Sequence, residues 1–178
     1  MLQEQALQIL RNESPYGTPL ENHCIRLAEI SVELCKIENL TLDEDLLYAA
    51  CYLHDIGLCV RDSEERNYLK RGLKFIEPTL SKWDLGSVQR KFITDVMLYS
   101  HSLPKIGDIS KEGDLVRRAV RVEHSLGVIT EGLSLEPIRK IFSNHPRKGF
   151  NKVLLGFSKT AVLDDGLGEL VRVFFPKV

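Results

Sequence analysis

The sequence predicts an all-α fold, a helical bundle of roughly 7–9 helices in a single domain that spans residues 1–178. Three observations support this prediction. Apolar residues recur at steps of three and four over most of the chain, which is the period of a helix that buries one face. Pro and Gly interrupt the pattern at short intervals, as they do where helices end. Neither an internal repeat nor a Ser/Gly-rich linker divides the chain, so one core is expected.

The first part of the chain predicts three helices. Residues 2–11 carry an apolar stripe, and the segment "NESPYGTP" that follows contains the Pro and Gly residues that end this helix. A second helix is predicted over residues 20–37, where apolar and small residues follow one face. "TLDE" has the form of a capping box between Thr41 and Glu44, so a third helix is expected to begin there and to run into His54.

The second part of the chain predicts four more helices and an ambiguous tail. These helices are expected over residues 64–77, 84–101, 114–132 and 136–143, and the third of them is expected to be the longest in the chain. The basic loop "NHPRKGFNK" follows; it offers a place for an anionic ligand, but such loops usually face solvent, and His145 within it is expected at the surface. The tail "TAVLDDGLGELVRVFF" fits a helical stripe but ends in residues that favour strands, so both alternatives stay open.

The composition is that of a globular protein, with 43% apolar and 28% charged residues. A formal net charge of −1 argues against a surface that coats nucleic acid, because phosphate binding there is dominated by Lys and Arg. No apolar stretch reaches the roughly 18 residues of a membrane span, and the N-terminus lacks the pattern of a signal peptide. The cysteines show no C-x-x-C spacing, so a reduced, cytoplasmic protein is expected. They are Cys24, Cys35, Cys51 and Cys59.

The segment "CYLHDIGLCV", residues 51–60, places His54 and Asp55 side by side among apolar and small residues. A buried charge is costly unless it is paired or coordinated. At the end of a helix, followed by Ile56 and Gly57, the chain can turn so that both side chains point at one ion. Histidine and carboxylate together suit borderline divalent metals such as Zn, Mn, Fe or Ni. The doublet therefore predicts one divalent metal ion, and the sequence contains no second doublet for a two-metal site.

The segments "NHCIRLAEI", "YLHDIGL", "SH" and "GDLVRRAVRVEHSLGVI" together resemble the HD superfamily of metal-dependent phosphohydrolases. In that family a histidine on an early helix precedes a His-Asp doublet, and here His23 precedes His54 by 31 residues. The resemblance implies metal ligands at His23, His54 and Asp55, an HD core over about residues 20–130 and a C-terminal extension over 133–178. "SLGVITEGLSLEPIRKIFSNHPRKGF" is similar to a bacterial subgroup of HD proteins, so a bacterial origin is expected.

The sequence departs from the family at the fourth metal ligand. The family's late helix carries "AD-x-x-D", and aligning this motif on "RRAVRVEHSLG" puts Val120 in the place of the metal-binding aspartate and Glu123 in the place of the second. A valine cannot coordinate metal. Three interpretations stay open. Glu123, His124 or His101 replaces the aspartate; the site works with three protein ligands and water; or the site is degenerate and the metal is weakly bound or absent.

The resemblance implies hydrolysis of a phosphate ester, from a nucleotide or a small phosphorylated metabolite, by a metal-activated water. Asp55 or Glu123 is expected to orient or deprotonate that water. One alternative is a catalytically degenerate HD domain that acts as a ligand-binding, regulatory or interaction module. A second alternative is an HD-type hydratase or hydrolase of a non-phosphate substrate, since His101 resembles a feature of that branch. A homodimer is left open.

Two cations are candidates to bind the substrate phosphate. Arg26 stands about one helical turn after His23, and Lys105 follows His101 by four residues. Arg26 also has a plainer interpretation, a solvated ion pair with Glu29 three residues further along its helix.

Overall fold

The structure is a computed structural model that describes residues 1–60, 64–160, 162–163 and 166–176. The regular elements in these ranges are all helical, which confirms the all-α prediction. A short 3₁₀ helix, Ile56–Leu58, follows the third α-helix. The α-helices are α1 (Leu2–Glu13), α2 (Thr18–Glu38), α3 (Glu44–Leu53), α4 (Tyr68–Leu80), α5 (Ser87–Tyr99), α6 (Lys111–His124), α7 (Leu135–Asn144), α8 (Phe150–Thr160) and α9 (Leu167–Phe174).

Helix α2 is the centre of the bundle, and α3, α6, α7 and α8 all pack against it. Its apolar stripe, which includes Leu27 and Leu34, is fully buried in the core. Helix α1 lies along α3, and the Asp45 carboxylate of α3 accepts hydrogen bonds from the backbone N–H groups of Leu2 and Gln3 at 2.8 and 3.0 Å. A carboxylate at a helix N-terminus satisfies amides that have no partner within the helix. Helix α5 completes the bundle between α4 and α6.

Helix α6 is shorter than the sequence predicts. It begins at Lys111 and ends at His124, whereas the pattern indicated a helix over residues 114–132. The chain leaves the helix because Leu126 and Gly127 adopt φ values of +58° and +78°, and the Gly127 N–H donates to the Val122 carbonyl at 2.9 Å. This is the usual left-handed end of a helix. The longest helix in the described ranges is therefore α2, with 21 residues.

The N-cap of helix α3 lies two residues later than the N-cap of the predicted capping box. Asp43 is its N-cap, and the Asp43 side chain accepts a hydrogen bond from the Leu46 N–H at 3.2 Å. The prediction of a box between Thr41 and Glu44 is wrong, because Glu44 is itself the first helical residue. Aspartate is as good an N-cap as threonine, so the two signals compete in "TLDE".

Helix α8 begins inside the segment predicted as a basic loop. Phe150 is its first residue, and Val153 and Phe157 follow on the same face and join the core. The tail forms α9, so its helical alternative is the one observed, although residues 161, 164 and 165 lie outside the described ranges. The Leu103 N–H donates to the Phe174 carbonyl at 2.9 Å and ties α9 to the loop before α6.

The cysteines are free thiols, and Cys24, Cys35 and Cys51 are buried while Cys59 is half-buried. Burial raises the pKa of the Cys24 and Cys51 thiols, which keeps them in the unreactive protonated form. Among the described residues, none of the helices combines the length and the apolar character needed to cross a bilayer.

Gly57 lies two residues after the His-Asp doublet, at a point where two backbones nearly touch. A Cβ at this position would lie 1.8 Å from the Tyr68 carbonyl oxygen and 2.7 Å from the Gly72 backbone nitrogen. We expect Gly57→Ala to lower the free energy of unfolding by at least about 1–3 kcal/mol, because α4 must move away from the 3₁₀ helix. Urea denaturation measures the change. Gly107→Ala is the control, since a Cβ there meets nothing within 4 Å; equal stability of the two variants would contradict the expectation.

Candidate metal centre

His54 and Asp55 lie where α3 ends and the 3₁₀ helix begins. His54 keeps the helical conformation as C-cap of α3, and Asp55 leaves it with φ −106° and ψ 10°. The two side chains converge as a result, and His54 Nε2 lies 3.1 Å from Asp55 Oδ2. Both residues are buried, with 1% and 3% exposure. The turn that the sequence allows at this helix end is present.

His23 joins the doublet from the second turn of α2. Its Nε2 lies 3.4 Å from His54 Nε2 and 3.8 Å from Asp55 Oδ2. Two nitrogens that are both ligands of one tetrahedral ion, with bonds of about 2.0–2.1 Å, are about 3.3–3.4 Å apart. The two imidazoles therefore have the spacing of a ligand pair. Together with the carboxylate they form a donor set that fits a divalent ion.

Contacts on the far side of each ring favour the tautomer that a metal ion needs. His54 Nδ1 lies 2.7 Å from the Cys51 carbonyl oxygen, so Nδ1–H donates and the lone pair of Nε2 points into the centre. His23 Nδ1 lies 3.2 Å from Glu123 Oε2, although no aligned hydrogen bond joins these atoms. A carboxylate at that distance still favours the proton on Nδ1. Both imidazoles thus present Nε2 as the ligand atom.

Glu123 is a fully buried carboxylate behind the His23 ring. Arg26 donates from Nε and Nη2 to Glu123 Oε1 at 3.0 and 2.6 Å, and Arg147 Nη1 lies 3.6 Å from Oε2. Burial acts to raise the pKa of Glu123, but the charges of His23, His124 and Arg26 outweigh it and hold that pKa below its usual value. Because Glu123 lies behind a ligand, it is placed to orient His23 rather than to touch a substrate.

Arg26 is inside the protein and does not form the solvated pair with Glu29. Its side chain is fully buried, and Nη1 donates to the His145 carbonyl at 2.8 Å. Glu29 instead lies 3.2 Å from His145 Nε2. The buried Glu123 carboxylate explains the difference, because it must be paired with a cation and Arg26 is within reach. With its guanidinium engaged here, Arg26 is not placed to bind substrate phosphate, and His145 is half-buried rather than a plain surface residue.

His101 and His124 bring two further imidazoles to the centre. His101 Nε2 lies 3.1 Å from Asp55 Oδ1. The His124 ring centroid lies 5.5 Å from that of His23 and 5.6 Å from that of His101. Burial lowers the pKa of His124 to about 3, so its imidazole is neutral at pH 7 and available to a metal. His124 also forms, with His23 and Glu123, a second group whose ligand atoms lie within 4.8 Å of one another.

The pKa values of Asp55, His23 and His54 are all shifted, two in the direction that favours metal binding and one against it. Burial acts to raise the pKa of Asp55, but His54 and His101 outweigh it and hold that pKa well below its usual value. Burial lowers the pKa of His23. For His54 burial also acts downward, but Asp55 and the Cys51 carbonyl outweigh it, and the pKa of His54 is raised. A metal ion binds the neutral imidazole, so a proton and a metal ion compete for His54 Nε2.

Val120 is buried on α6, one turn before His124. Both residues line a cavity of about 650 Å³, whose lining also includes Asp55 and His101. This volume falls in the range of small-molecule sites, about 300–1,000 Å³. Lys105 is exposed and is not among the residues that line the cavity, so its contact with a substrate phosphate stays a prediction.

Three contacts of the centre were not expected from the sequence. The Cys51 carbonyl orients His54, and its position three residues earlier on the same helix is a signal that could have been used. Arg147 lies in the basic loop predicted to face solvent, yet Nη1 donates to the Glu123 carbonyl at 2.8 Å. Phe150 stacks on His23 with the ring centroids 4.3 Å apart. The contacts of Arg147 and Phe150 join distant parts of the chain and leave no local pattern.

The fold and the site together define a class of protein. It is a helical domain whose histidines and aspartate form a group that could hold a metal ion. The chain belongs to the HD domain family, because the HD domain model matches residues 20–149. This match confirms the resemblance of the sequence to that family, and it ends at the residue before α8 begins. No curated protein and no solved structure matches the chain.

Proposed function

We propose that the protein is a metal-dependent hydrolase that acts on a phosphate ester. The observation that carries this proposal is the approach of His23 Nε2 to within 3.4 Å of His54 Nε2, beside the Asp55 carboxylate. Membership of the HD domain family supports a hydrolase. The adjoining cavity supports it further, because a substrate bound there would reach Asp55.

His23, His54 and Asp55 would hold one divalent ion, Mn, Fe, Zn or Ni. When bound, such an ion polarises a phosphoryl oxygen and lowers the pKa of water. Asp55 accepts a hydrogen bond from the attacking water and orients it; its low pKa makes it a poor base. His101 donates to Asp55 Oδ1 and holds the carboxylate in this direction. Glu123 is the positioning residue for His23.

We assign the fourth ligand position to His124. It follows Val120 by one helical turn on the same face of α6, and its imidazole is neutral at pH 7. A ligand at this point takes the place of the aspartate that the family carries where this chain has Val120. If three protein ligands and water hold the ion instead, His124 is not a ligand, and His124→Ala leaves metal affinity unchanged.

The metal content of protein purified without chelator is the first test of the proposed function. About one equivalent of a divalent metal per chain is expected, as for a mononuclear site, together with phosphate release from a panel of monoesters that chelator abolishes and added metal restores. Metal without any phosphate release would favour the non-phosphate alternative. No metal, and no uptake on adding it back, would contradict the proposal.

Val120 favours a second candidate function, that of a degenerate HD domain whose cavity binds a regulatory ligand. Its apolar side chain removes one ligand from the family's set, and an incomplete set binds metal more weakly. In such a module, ligand binding would not depend on metal, so His54→Ala would bind the ligand as the unmodified protein does. In the hydrolase, the same substitution removes the metal.

His124→Ala is expected to lower metal affinity by at least about 10–100-fold, the loss typical even of an outer-shell partner. Val120→Asp alone is expected to change metal affinity little, because His124 already fills the position. Combined with His124→Ala, Val120→Asp is expected to restore most of the lost affinity. Competition with a metal-chelating dye measures all three variants. A tenfold or larger gain from Val120→Asp alone would show that the position is empty and that His124 is not the ligand.

A further inference from the structure

The cavity beside the metal centre is lined by both polar and apolar side chains. Asp55, His101 and His124 stand on the side of the metal centre, whereas half of the lining residues that the structure describes are aliphatic or phenyl side chains. Leu58 and Val120 are two of them. A ligand that fills such a space gains affinity by removing apolar surface from water.

The C-terminal helices build one wall of this cavity. Leu154 and Phe157 of α8, and Leu170 and Phe174 of α9, all line it. These residues lie beyond residue 149, where the match to the HD domain family ends. Backbone pairing of Phe174 with Leu103 holds α9 in this place. The apolar wall is therefore a feature of this chain's own extension, added to the shared metal centre.

The cavity offers little positive charge to an anion. In the described part of the chain, Arg121 is the one Lys or Arg side chain that lines it, and Arg121 Nη1 lies 3.1 Å from Glu131 Oε1. A polyphosphate carries several charges, and sites that bind it supply several cations and backbone amides. One paired guanidinium is enough only for a single phosphate at the metal centre.

We infer that the substrate is an amphiphilic phosphate monoester, with its phosphate at the metal centre and a hydrocarbon body, alkyl or aryl, in the cavity. This inference rests on the proposed function. The rim of the cavity supports it, because Leu103, Ile129 and Phe174 line the cavity and are also 51%, 42% and 37% exposed. A hydrocarbon chain that extends past the mouth finds apolar surface there as well.

Phosphate release from butyl, hexyl and octyl phosphate, below their micelle concentrations, tests the inference on the metal-loaded protein. We expect kcat/KM to rise by up to about fourfold for each added methylene, the value for a fully buried CH₂. The hydrocarbon body binds equally well in the ground state and in the transition state, so the longer chain raises kcat/KM and leaves kcat unchanged. A nucleoside monophosphate hydrolysed with a higher kcat/KM than octyl phosphate would overturn the inference.

Calorimetry with octylphosphonate and methylphosphonate, which cannot be hydrolysed, separates this inference from the proposed function. Octylphosphonate is expected to bind about a hundredfold more tightly or better. Ile129→Glu places a charge on the cavity wall and should weaken the binding of octylphosphonate by about tenfold. Val128→Glu is the control, because Val128 is 85% exposed and does not line the cavity, and it should leave this binding unchanged.

Equal binding of the two phosphonates, or equal effects of the two Glu variants, overturns the inference even if monoesters are hydrolysed. Tight binding of octylphosphonate without hydrolysis of any alkyl phosphate would overturn the proposed function, hydrolysis of a phosphate ester. It would still support the cavity as a site for an apolar ligand.

Discussion

Replacing His54 by alanine is expected to leave the protein folded but without its metal ion and without hydrolytic activity. His54 contributes one of the two facing Nε2 atoms and is oriented by the Cys51 carbonyl, so its loss removes a ligand from the centre. The expected loss of metal affinity exceeds the roughly 10–100-fold that follows removal of an outer-shell partner. Elemental analysis of the purified variant, with circular dichroism for helix content, measures both parts of this expectation.

Asp55→Asn tests the same centre with a smaller change of shape. The amide oxygen can still accept a hydrogen bond from His101, but the negative charge that holds the pKa of His54 above its usual value is lost. Metal affinity is again expected to fall. His145→Ala is the matched control, because His145 lies outside the centre and its contact with Arg26 is made by a backbone carbonyl that the substitution keeps. A full equivalent of metal in a folded His54→Ala protein would rule out this ligand set.

Replacing Arg26 by methionine is expected to destabilise the protein by about 3–5 kcal/mol, the cost of leaving a buried charge without its partner. Arg26 and Glu123 are both fully buried and joined by two hydrogen bonds. Lys36→Met on the same helix is the control, since the ion pair of Lys36 with Glu33 is exposed. We expect that variant to change stability by less than about 1 kcal/mol.

Urea denaturation at pH 7 in the presence of chelator measures these variants, because bound metal would itself stabilise the folded state. The pKa of Glu123 is lowered in the folded protein, so the stability it contributes is present at pH 7 and is lost as the pH falls through its folded pKa.

Adding Glu123→Leu to Arg26→Met should recover part of the stability lost in Arg26→Met, because the uncompensated charge is then gone. A change below about 1 kcal/mol in Arg26→Met would show that Arg147 and His23 already compensate the carboxylate.

Most helices follow from the sequence because helical periodicity is a local property. The errors lie at helix ends and in α8. Two capping signals compete in "TLDE", and the pattern of α6 continues past the point where Leu126 and Gly127 turn the chain. Helix α8 begins among the basic residues of a segment read as a loop, and its apolar face becomes clear only where Val153 and Phe157 meet the core.

The residues of the centre were predicted from the sequence, but the roles of two of them were not. Glu123 was expected beside the attacking water and Arg26 beside the substrate or in solvent, yet they bind each other in the interior. A carboxylate and a guanidinium 97 residues apart carry no spacing signal that pairs them. Their partnership depends on how α2 and α6 pack.

The sequence by itself determined that the chain is helical and that a His-Asp doublet ends its third helix. These properties are encoded in neighbouring residues, through periodicity, turns and residue type. Only the tertiary structure decided that Arg26 binds Glu123 in the interior, that Phe150 stacks on His23, and that α8 and α9 line an apolar cavity beside the centre. Such convergence is set by the packing of whole helices, because packing brings together atoms that the chain keeps far apart.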